Sequence, residues 1–387
     1  MTTSSPVSSP TSVRSYQFFS NRNAARVRKV RSHALGKIGA AMRHAMAGIT
    51  VRNAWTAACI ASAAAVLASC GGAPSSGAIP SVRVAPPSAM QVDRGASWIS
   101  PDIARTPQLL FESDIGSGGV DVYSLPDMTL EATLTGLEEP TGECSDSHGN
   151  VWIANTYQDE MLEYSHDAKR INRIKNAGPN PQACAVNPHN GEIAVVEYSA
   201  AGYTGPGEVY VYSSPSAKPR ILHNPDLLYY EFALYDPEGH LWIDGIGTSF
   251  SSILSRCGRS SCSTVTLHGG SIFSIGSIAW DATKSTLVVF DLYCHDGPNV
   301  CSYSVSERGK IGRPTLYLNY TGGGLCTIIQ TALATVGNQS YVVGGDSEFT
   351  CSGYKNSTVD LWQYRTGGAA VRHRGSVVYP YGAAVSQ

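Results

Sequence analysis

The run Asp146-Ser-His-Gly-Asn-Val-Trp-Ile-Ala-Asn155 decides the fold. An Asp side chain can bond its own backbone two residues on, and Gly enters left-handed backbone without strain, so Asp146 and Gly149 mark a tight turn. Val151–Ala154 then runs apolar without alternation, as a strand buried on both faces does. A small-residue stretch (PTGECS, 140–145) lies ahead of the turn, and EMLEYS (160–165) and RINRIKN (170–176) follow it. The segment reads as four short antiparallel strands joined by tight turns.

Working outward, the same order recurs. Pro181–Asn187 and Glu192–Glu197 precede GEVYVYS (207–213) and KPRILHN (218–224). Glu231–Asp236 and LWID (241–244) precede SILSRC (252–257) and STVTLHG (263–269). Ser277–Asp281 and TLVVFD (286–291) precede NVCSYSV (299–305) and PTLYLNY (314–320). Thr331–Val336 and SYVVGG (340–345) precede TVDLWQY (358–364) and AAVRHRG (369–375). QLLFES (108–113), GGVDVYS (118–124) and LEATLTG (130–136) are three strands without an inner partner, and PYGAAVS (380–386) is an inner strand without followers. Pairing these ends closes a ring of six four-stranded units and removes a seam of unpaired edges. The repeat of roughly 40–55 residues is of propeller-blade length. The expected fold is an all-β six-bladed β-propeller over 107–387.

The runs at 146–155 and at Asp236-Pro-Glu-Gly-His-Leu-Trp-Ile-Asp244 are similar to those of NHL-type and gluconolactonase-type six-bladed propellers. The resemblance covers 108–387, is sharp in these two units and degenerate in the others. It implies aromatic wedges between blades. The gluconolactonase-type relationship further implies a calcium-dependent lactonase, in which a metal at the channel mouth polarises the carbonyl and a carboxylate handles the proton. Glu231, Asn155 and Asp291 are the residues of the right type for that chemistry.

Charge divides the chain. The formal net charge is −2, yet nine of the 28 Lys and Arg and none of the 30 Asp and Glu lie in residues 1–69, leaving −11 beyond them. An acidic body without a basic cluster argues against nucleic acid as a partner. Ala54–Ser69 is apolar and uncharged, the length of a signal-peptide core, and ends in Leu67-Ala68-Ser69-Cys70-Gly71, the pattern of a bacterial lipobox. Residues 1–69 are therefore expected to be a removed extension and signal, and Cys70 a lipidated anchor. Each buried methylene of such lipid contributes about 0.8 kcal/mol of membrane affinity. The expected location is the bacterial cell envelope; a secreted form and organelle targeting, suggested by the acid-free head, are the alternatives. Residues 70–106, rich in Pro, Ser, Gly and Ala, read as a tether.

Eight further cysteines follow Cys70. Their positions favour Cys144–Cys184 between inner strands of adjacent units, Cys257–Cys262 and Cys294–Cys301 across hairpins, and Cys326–Cys351 within one unit. Local pairing of this kind fits an oxidising compartment.

No G-x-S-x-G, H-E-x-x-H, Walker or Rossmann pattern is present. His148, His189 and His240 recur at the first turn and belong to turn chemistry. A different set recurs where each second strand ends: Asp114 (or Glu112), Asn155, Glu197, Asp244, Asp291 and Asp346. Spaced around one rim, these oxygens would suit Ca²⁺, with Asn155, Glu197 and Asp291 as candidate ligands, or a cationic ligand; equally, Asp and Asn start turns at strand ends. The loops beginning there carry Tyr198, Tyr203, Phe250, Tyr293, Phe349 and Tyr354. Together they define an expected acidic, aromatic face on a monomeric module that binds an envelope glycan, peptide or protein. A non-catalytic scaffold is the plainest alternative.

Overall fold

The computed structural model describes residues 95–387 except 201–204, 295–298, 320–324, 348–356 and 376. The chain opens with β1 (Trp98–Ile99), β2 (Leu109–Asp114), β3 (Gly119–Ser124) and β4 (Leu130–Leu134). Blade 1 follows as β5 (Pro140–Ser145), β6 (Val151–Asn155), β7 (Glu160–Tyr164) and β8 (Arg170–Lys175). Blade 2 is β9 (Pro181–Val186), β10 (Ile193–Ser199), β11 (Pro206–Tyr212) and β12 (Arg220–Leu222). Blade 3 is β13 (Leu227–Tyr235), β14 (Leu241–Gly247), β15 (Ser252–Cys257) and β16 (Cys262–Thr264). Blade 4 is β17 (Ile275–Trp280), β18 (Leu287–Cys294), β19 (Asn299–Val305) and β20 (Ile311–Leu318). Blade 5 is β21 (Ile328–Val336), β22 (Gln339–Asp346), β23 (Thr358–Gln363) and β24 (Arg372–Arg374). The last strand, β25 (Pro380–Ser386), pairs with β2 and supplies the inner strand of blade 6, as expected from the repeat. All strand pairs are antiparallel, in a six-bladed ring.

The residues ahead of 107 contribute more than a tether. Trp98 and Ile99 pair with Thr133 and Ala132, giving blade 6 a fifth, outermost strand. Cys70 and the segments before it lie outside the described residues. Among the described residues no helix is long and apolar enough to cross a membrane.

The apolar second strands explain the packing. Alternate side chains of a strand point to opposite faces, so a strand sandwiched between two blades must be apolar throughout. In β10, Ile193 and Val195 pack toward blade 1 while Ala194 and Val196 pack toward blade 3. In β18, Leu287 and Val289 face blade 3 and Val288 and Phe290 face blade 5. The core is thereby divided into six clusters, one at each blade junction. Trp152 and Trp242 are the expected wedges: Trp152 sits among Cys184, Ile193 and Val195, and Trp242 meets Trp280 edge-on at 6.3 Å. The Asp-x-x-Gly turns also form as read. Asp146 accepts the amides of His148 and Asn150, Asp236 those of Glu238 and His240, and Gly149 and Gly239 take φ of +81° and +83°.

Three of the expected disulfides are present. Cys144–Cys184 ties β5 to β9, Cys257–Cys262 closes the β15–β16 hairpin and Cys294–Cys301 the β18–β19 hairpin. Cys326 is also disulfide-bonded; its expected partner, Cys351, lies outside the described residues. These bridges fit an oxidising, non-cytoplasmic compartment.

Candidate functional site

The ring has two faces. The upper face is where inner strands begin and second strands end; the lower face carries the Asp-x-x-Gly turns. Asp114, Asn155 and Asp346 end their second strands at the upper face, Glu197, Asp244 and Asp291 lie two or three residues before the ends of theirs, and all six are buried. Their oxygens do one job, repeated around the ring. Asn155 accepts the Glu138 amide at 2.6 Å, and Glu197 accepts that of Asn180 at 2.6 Å. Asp291 accepts the amides of Phe273 and Ser274 at 3.0 and 2.8 Å, and Asp346 those of Cys326 and Thr327. Asp114 accepts the amides of Val378 and Tyr379 at 2.9 and 2.8 Å, and that of Gly116. Each residue clasps the backbone as it enters its own blade's inner strand. Chain geometry explains the recurrence: Asn155, Glu197, Asp291, Asp346 and Asp114 stand directly opposite the first residue of that strand, so the amides just before it lie within reach. Asp244 comes one position early, β13 is bulged between Tyr230 and Ala233, and the clasp moves to the Phe232 amide.

This corrects the expected acidic mouth. The rim side chains are buried backbone acceptors rather than an open ring, which is the turn-initiating alternative in a stronger form. Asn155 and Asp291 are each bonded inside their own blades, and Glu231 lies on β13, an inner strand. The group of three His, Cys, Asp or Glu residues with ligand atoms gathered within 4.8 Å, among the described residues, is Asp236, Glu238 and His240 on the lower face. There Asp236 already accepts from Trp242 Nε1, and the Arg256 guanidinium stands 3.3 Å from it and 2.9 Å from His240 Nδ1. A resident cation therefore occupies that corner.

The aromatic half of the expectation divides. Tyr203, Phe349 and Tyr354 lie outside the described residues. Tyr198 is buried, stacked on Tyr229 with ring centroids 4.8 Å apart. Phe250 is exposed by 60 %, two residues before Ser252; Phe273, exposed by 59 %, and half-buried Tyr293 lie on the neighbouring blade that Ser252 contacts, and we group the three as an aromatic ridge. Phe273 meets Tyr293 edge-on at 6.4 Å, and its carbonyl accepts the Ser252 hydroxyl from the strand following the Phe250 turn. Phe250 holds φ of +59°, in the left-handed region that a bulky residue rarely adopts. Tyr157, exposed by 64 %, projects from the corresponding loop of blade 1. Phe273 and Tyr157 are absent from the sequence expectation because they flank the strands, where no repeat position distinguishes them.

Inside the channel, polar groups bridge the inner strands. The Gln330 amide side chain donates to the Glu143 carbonyl and accepts from the amides of Glu143 and Ala383, and Gln182 Nε2 donates to the Tyr381 hydroxyl. Below these, a cleft of about 580 Å³ opens between the inner strands, walled by Cys184, Tyr235, Trp280 and Val385 with Glu143 at its edge. A furrow of about 670 Å³ on the outer edge, along Arg170–Lys175, is lined by Arg170, Arg173 and Lys175, charges that discourage pairing at an exposed edge strand.

Buried acids lie on the inner strands (Glu143, Glu231) and on a second and a third strand behind them (Glu112, Asp360). Burial pushes Glu231 up to about 8 and Glu143 well above the usual carboxylate range. Glu112 is raised by burial and then by the charges of Glu143, Asp114 and Asp121. Asp360 rises to about 7 through burial and then the Asp346 charge. Glu143 and Glu112 were legible as carboxylates set in otherwise small or apolar strands. Because these acids hold protons more tightly when folded, the native state binds more protons than the unfolded chain between about pH 4.5 and 8. Stability is therefore full at the acid end of that window and falls as pH rises, by about 1.4 kcal/mol per pH unit for each such proton. Glu231→Gln is expected to flatten the fall measured by denaturant titration at pH 5, 6, 7 and 8; an unchanged slope would contradict the assignment to Glu231.

No protein-family model matches this chain, and no curated protein matches it. Its fold resembles solved structures. One is a chain in the crystal structure of a nidogen/laminin complex, 13% identical, with TM-score 0.52, covering 72% of this chain and 98% of that one. Another is a protein of unknown function from Bacteroides caccae, solved at 1.35 Å, 12% identical, with TM-score 0.51, covering 73% and 99%. These likenesses establish a shared fold; the NHL-type and gluconolactonase-type resemblance rests on the turn motifs.

Proposed function

We propose that the protein is a binding module that docks a partner polypeptide on its upper face, presented outside the cytoplasm on a lipid tether at Cys70. The carrying observation is the ridge of Phe250, Phe273 and Tyr293. Exposed apolar rings grouped on loops above a rigid scaffold favour recognition, and Phe250 also keeps a backbone conformation that disfavours it by about 1 kcal/mol. The rim acids are already committed to the blades, so affinity falls to the aromatic surface.

The test selects a phage-displayed random peptide library on the folded protein. Selected peptides are expected to lose at least tenfold in affinity for a Phe250→Gly/Phe273→Ser double variant. That variant should melt no lower than the parent, because Gly suits the φ of residue 250. Peptides that bind both proteins equally would refute the docking face.

The tether is supported by the Leu67–Gly71 pattern and by the disulfides, which suit an oxidising setting. Growth with an alkynyl fatty acid should label the full chain in a bacterial host and leave Cys70→Ala unlabelled; equal labelling of both would rule out that anchor.

A further inference from the structure

The upper end of the channel holds a small cavity of about 20 Å³, lined by Glu231, Phe232, Ile275, Leu292, Tyr379 and Tyr381 among others. That is room for one water-sized group. Glu231 is 9 % exposed and its carboxylate makes no hydrogen bond among the described residues. Asp244 on β14 is outside the cavity wall but close enough to Glu231 to feel its charge: its Oδ1 takes the Phe232 amide while Oδ2, fully buried, has no hydrogen-bond partner among the described residues. Buried carboxyl oxygens are normally hydrogen-bonded, so an unpartnered acid lining a cavity, with a second acid close to it, calls for a donor from outside.

We infer that this cavity is a socket for a single primary ammonium group, the lysine side chain or free N-terminus of the polypeptide docked above it. Three features choose this over other cations. The cavity wall supplies one carboxyl group, Glu231, with Asp244 nearby outside the wall, whereas Ca²⁺ takes about six to eight oxygens. Its remaining walls are apolar and aromatic, and Tyr379 and Tyr381, packed edge-on at 6.0 Å, offer ring surface to an organic cation. Its volume admits a primary ammonium and excludes a trimethylated one. Among the described residues, the titratable groups near Glu231 are Asp244 on β14 and the tyrosines at 379 and 381, Tyr198 lying beyond Tyr381; Phe232, Ile275, Gly276, Leu292 and Ile329 complete the wall without charge. Burial keeps Glu231 protonated up to about pH 8, so entry of one ammonium forms an ion pair and releases one proton from Glu231 to solvent. The inference rests on the upper face being the docking surface.

Saturation-transfer NMR tests it with three probes: Nα-acetyl-lysine N-methylamide for the side chain, alanine N-methylamide for the N-terminus, and tetramethylammonium. At least one primary amine should bind saturably, tighten up to tenfold per pH unit from pH 6 toward 8, and be unaffected by tetramethylammonium. Glu231→Gln, whose isosteric side chain carries no charge, should weaken it at least tenfold. Absence of binding by both amines, affinity indifferent to pH, or equal binding to Glu231→Gln would overturn the socket. The pH arm needs no variant, so misfolding cannot mask the answer. Neither small probe requires Phe250 or Phe273. Loss of the socket with retention of ridge-dependent peptides would refute this inference alone, and the converse would refute the docking face alone.

Discussion

Deleting residues 380–387 is expected to prevent formation of the native ring. These residues form β25, the inner strand of blade 6, paired along β2 from Leu109↔Ser386 to Asp114↔Pro380. They also supply Ala383, Ala384 and Val385 to the clusters on both sides of the blade. Without them β2 becomes an open edge beside the channel and two of six junctions lose packing. Burial contributes about 1.5–3 kcal/mol for a large apolar side chain, and whole domains are stable by only about 5–15 kcal/mol. Far-UV circular dichroism with a denaturant melt should show no cooperative transition in the truncated chain; a two-state melt near that of the parent would show that closure is dispensable.

Asp114→Ala should be the most damaging single substitution among the clasps. Asp114 sits where the two ends of the propeller meet, and its carboxylate accepts the amides of Gly116, Val378 and Tyr379. Alanine would strand these partly or fully buried donors. Leaving a buried donor unpaired costs about 1–3 kcal/mol, so a loss of about 4 kcal/mol, or roughly 10 °C in melting temperature, is expected. Asp114→Asn keeps one acceptor oxygen and should lose less. A melting temperature for Asp114→Ala within a degree or two of the parent would contradict the clasp.

How much of this was visible beforehand follows from the range of each interaction. The Asp-x-x-Gly turns and unbroken apolar second strands are local patterns, and they carried the blade count and the closure by residues 380–386. Three disulfides were legible because hairpin spacing and repeat register place their cysteines together. The rim was legible as a recurrence and misread as a surface: an Asp at a strand end looks the same whether its oxygens meet solvent or the amides of Val378 and Tyr379, more than 260 residues away. Tyr198 failed for the same reason, its partner Tyr229 belonging to the next blade. Trp98 and Ile99 were lost in a Pro- and Ser-rich stretch, since two residues carry no period.

The central claim is a division of labour on the upper face: buried rim acids hold the blades and the aromatic ridge recognises a partner. The most direct test measures peptide affinity and melting temperature together for Asp346→Ala, a rim variant distant in sequence from the ridge, and for Phe250→Gly/Phe273→Ser. The account predicts a lowered melting temperature with parental affinity for the first, and parental or higher melting temperature with at least tenfold weaker binding for the second. Loss of binding in folded Asp346→Ala, with binding retained by the ridge variant, would contradict it.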